Sequence, residues 1–164
     1  MGKKPENFYK SIVHLSKIFK DTQYAFRGTA SLVLQNFDMN VDDIDILCDK
    51  KTALKANELL SRYIIEKIDY KESDKFKSYY GKFLVDDVQI EIMGEWSIKD
   101  TKGNWSEPFD AKQRVKLDVE GDEVYVTTID TELDTFLKMG RWNTYHKIMN
   151  QLPKDRDDTQ LKLV

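Results

Sequence analysis

Asp43-Ile44-Asp45-Ile46 alternates acid with isoleucine. Successive side chains of an extended chain point to opposite faces, so the two isoleucines can cover a core while both carboxylates share the other face. A pair of carboxylates on one rigid strand suits a hard cation. Magnesium takes oxygen ligands, commonly one or two carboxylates, with substrate phosphates and water completing the shell. Glu91 repeats the theme, because Ile90 and Ile92 flank it within Val88-Gln89-Ile90-Glu91-Ile92 and it should face away from both. Gly28-Thr29 stands at the mouth of a helix. Each feature alone is what a solvated strand edge or a tight turn also looks like, so the three carry weight only together.

The surrounding pattern supplies elements to hold them. Phe8, Ile12, Leu15 and Phe19 recur at helical spacing and predict an opening helix with one buried face. Tyr24-Ala25-Phe26 runs into Arg27-Gly28-Thr29, and 30–35 resumes helical character, which reads as strand, tight glycine turn, helix. The span 41–48 is the acid-bearing strand. Ala53, Ala56, Leu59, Leu60 and Tyr63 give an amphipathic helix over 52–63, and 64–68 reads as a further strand. The β-prone runs 79–85 and 88–93 form a hairpin across Asp86-Asp87, and 116–119 with 124–128 repeat the arrangement around Gly121-Asp122. Between the hairpins, Gly94, Gly103, Asn104 and Pro108 predict a loop or lid. Beyond Thr128 the pattern is helical, with Pro153 expected to break it in two.

At 164 residues the chain is expected to form one domain. Its 40% hydrophobic and 12% aromatic content fits a packed globule, and 34% charged residues fit a solvated surface. A net charge of -3 argues against gripping duplex nucleic acid, while leaving a small charged ligand open. Cys48 stands alone, so neither an internal disulfide nor a cysteine zinc cluster can form, as suits a reducing compartment. With no leader pattern and no membrane-length apolar run, a cytoplasmic location is expected and no membrane partner. Trp96, Trp105, Tyr79, Tyr80, Trp142 and Tyr145 are read as core or rim residues rather than as the walls of a pocket.

Taken together, Arg27-Gly28-Thr29-Ala30, Asp43-Ile44-Asp45-Ile46 and Ile90-Glu91-Ile92 resemble the signature of the polymerase-beta nucleotidyltransferase superfamily over the first two thirds of the chain. The resemblance implies an α+β fold: a mixed or antiparallel twisted sheet flanked by helices, with a helical C-terminal tail. Residues 1–128 would form the catalytic core and 129–164 an extension packed on it within the same domain. It implies metal-dependent transfer of a nucleoside monophosphate from a nucleoside triphosphate, ATP among them, to an acceptor hydroxyl, with release of pyrophosphate.

Asp43, Asp45 and Glu91 would then be catalytic and would bind two magnesium ions, or manganese in their place. Gly28 would let backbone approach the phosphates, and Thr29 would add a hydroxyl donor. Two departures stand out: Thr29 replaces the usual glycine or serine, and Arg27 stands where an apolar residue is commoner, either to contact phosphate or to pair with an acid. A weaker match to the helical tail of small members, including antibiotic-modifying and toxin-like branches, adds Lys138 and Lys154 as triphosphate ligands, with ordinary surface lysines the competing interpretation. The acceptor, whether a small molecule, a protein side chain or an RNA end, is not specified by the sequence, nor is a homodimer that completes the pocket. Two alternatives stand beside this one. The chain is a non-catalytic nucleotide-binding or toxin-antitoxin-type module on the same fold, or the three acids are a coincidence and lie apart.

Overall fold

The computed structural model describes residues 2–153. Five helices flank one open sheet: α1 (Phe8–Ile18), α2 (Gly28–Leu34), α3 (Lys50–Leu59), α4 (Ile129–Lys138) and α5 (Trp142–Gln151). The strands are β1 (Tyr24–Arg27), β2 (Ile44–Cys48), β3 (Ile64–Glu72), β4 (Phe76–Val85), β5 (Val88–Ile98), β6 (Val115–Val119) and β7 (Asp122–Val126). Their order across the sheet is β3-β4-β5-β2-β1-β7-β6. β2 runs parallel to β5 and β1 parallel to β7, and the other neighbours are antiparallel, so the sheet is mixed. Among the described residues no helix is long and apolar enough to cross a membrane.

The main core lies on one face of the central strands. Phe26, Ile44, Ile46, Ile90 and Ile92 turn there against Phe8, Ile12 and Leu15 of α1 and Ala53 and Ala56 of α3, and Leu133, Phe136 and Ile148 bring α4 and α5 into the same cluster. A smaller cluster of Ala25, Leu47, Met93, Trp96 and Ile98 covers part of the opposite face. Side chains seal two helix starts: Asp49 accepts the Thr52 N–H at 2.9 Å, and Thr128 accepts that of Thr131 at 3.0 Å. α1 lies where its periodicity placed it; the acid-bearing strand starts only at Ile44, leaving Asp43 just ahead of it, and α3 ends at Leu59, with a 3-10 turn over Ser61–Tyr63 in place of its last turn.

The first hairpin turns on Asp86 and Asp87, both with positive φ (52° and 63°), as a two-residue turn matched to strand twist requires. Asp86 is fixed by its neighbours, its carbonyl accepting from Asn7 and its carboxylate 3.0 Å from His14 Nδ1. Asp87 therefore carries the removable strain. We expect Asp87→Gly to stabilise the protein by roughly 0.5–1 kcal/mol in urea unfolding; no gain would mean that the turn relaxes in solution.

Three expectations need correction. β5 does not stop at Gly94 but continues to Ile98, and Trp96 pairs with Phe109 through two backbone bonds of 2.9 and 2.8 Å. Gly94 is demanded by packing rather than by a turn, since a Cβ there would lie 2.5 Å from that of Ala53. The second hairpin turns at Glu120-Gly121 (φ 53° and 86°), one residue earlier than read. The last helices part at Gly140 (φ 70°), whose N–H goes to Leu137 O while that of Arg141 reaches Phe136 O. That is a Schellman end needing a left-handed residue, an additional break not read in the sequence; α5 itself stops at Gln151, two residues before Pro153, and the residues after Pro153 lie outside the described ones.

Candidate active site

Strand register builds the site. Parallel pairing places Asp45 opposite Glu91, and antiparallel pairing places Arg27 opposite Asp45, so Arg27, Asp45 and Glu91 form one row across β1, β2 and β5. The neighbouring rows, Ile44 with Ile90 and Ile46 with Ile92, are fully buried on the other face. Asp43 lies two residues before Asp45, just ahead of β2. All three acids line one cavity of about 760 Å³, together with Gly28, Thr29, Tyr80, Trp96 and Arg141. The three acids do not lie apart: two distant stretches of chain are brought side by side.

The acids repel one another in a half-dry setting. Burial, aided by Glu91 and opposed by Arg27, pushes the Asp45 carboxyl up to about 7. Burial and then Glu91 raise Asp43 as well, with Lys82 opposing. Gln89 Nε2 donates to Asp43 Oδ2 at 3.3 Å. The Tyr80 hydroxyl donates to Glu91 Oε1 and fixes that carboxylate, while burial and this bond raise the phenol's own pKa.

Arg27 is 7% exposed. Its Nη1 lies 3.1 Å from Asp45 Oδ2 and its Nη2 3.9 Å from Glu132 Oε1, and its guanidinium stacks 4.3 Å from the Trp96 ring centre. Glu132, on α4, is completely buried; it accepts the Gly28 N–H at 2.9 Å and the Thr127 hydroxyl at 2.6 Å. Arg27 thus pairs with acids, the second of the two roles open to it. The amide of Gly28 is committed to Glu132 rather than turned to the cavity, so Gly28 lines the cavity without offering its N–H, and Thr29 adds the side-chain hydroxyl of the turn.

Gly28 has φ 67°, and a Cβ there would lie 3.3 Å from Asp45 Oδ2. Gly28→Ala should therefore cost about 1–2 kcal/mol in urea unfolding from the left-handed backbone alone and displace the Asp45 carboxylate. An alanine variant as stable as the parent would show that the turn tolerates another conformation.

The predicted lysines fare differently from the acids. Lys138 bonds Asp134 one turn back on α4 and does not line the cavity; the cation that α4 and α5 bring to it is Arg141. Lys154 lies outside the described residues. Tyr80 and Trp96, read from the sequence as core or rim residues, both line the cavity; Glu132 and Arg141 were not anticipated. A signal existed for Glu132, an acid one turn before Phe136 on the buried stripe of a helix; Tyr80 needed the pairing of β4 with β5 to be known.

Asp45 Oδ1 is buried and receives no N–H or O–H donor. Such an oxygen beside a second carboxylate fits a hard cation. Among the described residues no three acidic, histidine or cysteine side chains converge into a ready-made cage.

No family model and no curated protein sequence matches the chain. Solved structures do. A candidate nucleotidyltransferase from Thermotoga maritima superposes with a TM-score of 0.71 at 24% identity, covering 86% of this chain and 91% of that one. The lincosamide antibiotic adenylyltransferase LnuA, lincomycin-bound, superposes with a TM-score of 0.55 at 12% identity, covering 92% of this chain and all of that one. The fold is of the nucleotidyltransferase type.

Proposed function

We propose that this chain transfers a nucleoside monophosphate from a nucleoside triphosphate to an acceptor hydroxyl and releases pyrophosphate. The observation that supports it best is the row Arg27, Asp45, Glu91 with Asp43 beside it, at the wall of a cavity large enough for a nucleotide and a small acceptor. Asp43, Asp45 and Glu91 would hold magnesium or manganese. Bound there, such ions neutralise charge on the transferring phosphoryl group and its leaving oxygen.

The chain's own groups do the rest. Thr29 offers a hydroxyl to the phosphates and Arg141 a cation at the cavity wall. Glu91, held through one oxygen by Tyr80 and paired across the strands with Asp45, would complete the metal site and help accept the proton of the acceptor hydroxyl. Phe76 and Trp96, ring centres 5.8 Å apart and tilted by 31°, give the cavity an apolar edge that a base or an acceptor ring can meet. Catalysis here is mainly positioning and charge neutralisation.

Incubation with each nucleoside triphosphate, magnesium or manganese, and a panel of hydroxyl-bearing small molecules tests this. We expect pyrophosphate release that depends on both cation and acceptor. Tight triphosphate binding by calorimetry, with no turnover for any acceptor, would favour the non-catalytic module instead.

A further inference from the structure

We infer that Arg27 is an internal competitor for the cation: it covers Asp45 when no ion is bound, and Glu132 receives its charge when one is. The inference rests on the proposed metal-dependent reading.

A purely structural arginine-carboxylate pair is usually bidentate, two N–H groups on two oxygens. Arg27 touches Asp45 by Nη1 alone. Its Nε is buried without a partner, as is Asp45 Oδ1. The pair therefore lacks the second bond that would lock it.

Glu132, by contrast, is immobile. Fully buried, it is anchored by the Gly28 N–H and the Thr127 hydroxyl, with Arg27 Nη2 3.9 Å away. The guanidinium carbon sits 4.3 Å from the Trp96 ring centre, and Nη1 and Nη2 already face Asp45 and Glu132 respectively, so a small shift of the guanidinium over that ring moves charge from Asp45 towards Glu132. A buried charge must stay paired, and removing one partner is costly. With Glu132 already in place, an ion can take Asp45 without leaving Arg27 uncompensated. How Arg27 divides its charge between the two acids then sets the cation affinity, and Arg27 acts as a positioning residue rather than one that touches the reacting atoms.

Manganese binding to the whole chain, read by calorimetry and by loss of the free-ion resonance signal, tests this on two variants. Glu132→Gln keeps the shape but removes the acceptor charge, which drives Arg27 wholly onto Asp45; manganese should bind about ten-fold more weakly. The double variant Arg27→Met with Glu132→Gln removes one charge of each sign, so buried neutrality survives and folding should too. It frees Asp45, and manganese should bind about ten-fold more tightly than to the parent.

If Arg27 were merely scaffolding or a phosphate ligand, the double variant would melt cooperatively and bind manganese no more tightly than the parent, which overturns the inference while leaving the metal site standing. If neither the parent nor the double variant binds manganese, the metal-dependent reading fails with it. If Glu132→Gln does not fold, the double variant decides alone.

Discussion

Asp45→Asn is expected to lower nucleotidyl transfer by on the order of a thousandfold, the scale of losing a central charge-stabilising group, and at the same time to raise the melting temperature. The first effect follows from its place between Arg27 and Glu91, where of the three acids it is the one next to Gly28. The second follows from what its charge costs. In the folded protein the carboxyl titrates near 7, against 3.8 unperturbed, chiefly because it is buried. Between about pH 4 and 7 the folded chain therefore holds a proton that the unfolded chain has released, so stability falls as pH rises through that window and stays low above it. Asparagine removes this dependence. Its side-chain oxygen still accepts from Arg27, which keeps Glu132 as its counter-charge.

The variant should thus match the parent near pH 4 and exceed it above pH 7 by at least ~2–4 °C, the shift that about 1 kcal/mol produces in a domain of this size, since a carboxyl held from 3.8 up to about 7 is linked to at most about 4 kcal/mol. Thermal melts across that range without divalent cation check this. A variant that melts lower than the parent at pH 8 would mean the ionised pair with Arg27 is net stabilising.

Glu132→Ala is expected to cost about 3–5 kcal/mol, the loss seen when one partner of a buried ion pair is deleted. Three groups lose it at once: the Gly28 amide, the Thr127 hydroxyl and the second side of Arg27. None can reach water easily, since Gly28 and Thr127 are themselves buried. Urea unfolding should show the midpoint fall with an unchanged slope. A loss under about 1 kcal/mol, as for a surface glutamate, would mean that Glu132 is hydrated in solution.

What could be read before folding was local. The alternation in Asp43-Ile44-Asp45-Ile46 and Ile90-Glu91-Ile92 put the acids on a face of their own, because a two-residue period is written in adjacent residues. The glycine turn before α2 was equally legible. What could not be read depends on pairings across long stretches of chain. The parallel register of Asp45 with Glu91, the contact of Tyr80 with Glu91 and the approach of Glu132 to Gly28 join segments with no local signal for one another. Glycine misled twice for the same reason. Gly94 makes room for Ala53 rather than a turn, and Gly140 ends α4 at a break that the sequence reading passed over. Lys138 looked available for phosphate, yet Asp134 claims it one turn away.

The central claim is that Asp43, Asp45 and Glu91 hold divalent ions together with a nucleoside triphosphate. Counting manganese bound per chain, by loss of the free-ion resonance signal in the presence of a non-hydrolysable triphosphate, tests it most directly. The expected result is saturation near two ions for the parent and none beyond the nucleotide's own for a chain carrying Asp43→Asn, Asp45→Asn and Glu91→Gln. Equal counts for the two proteins would contradict it.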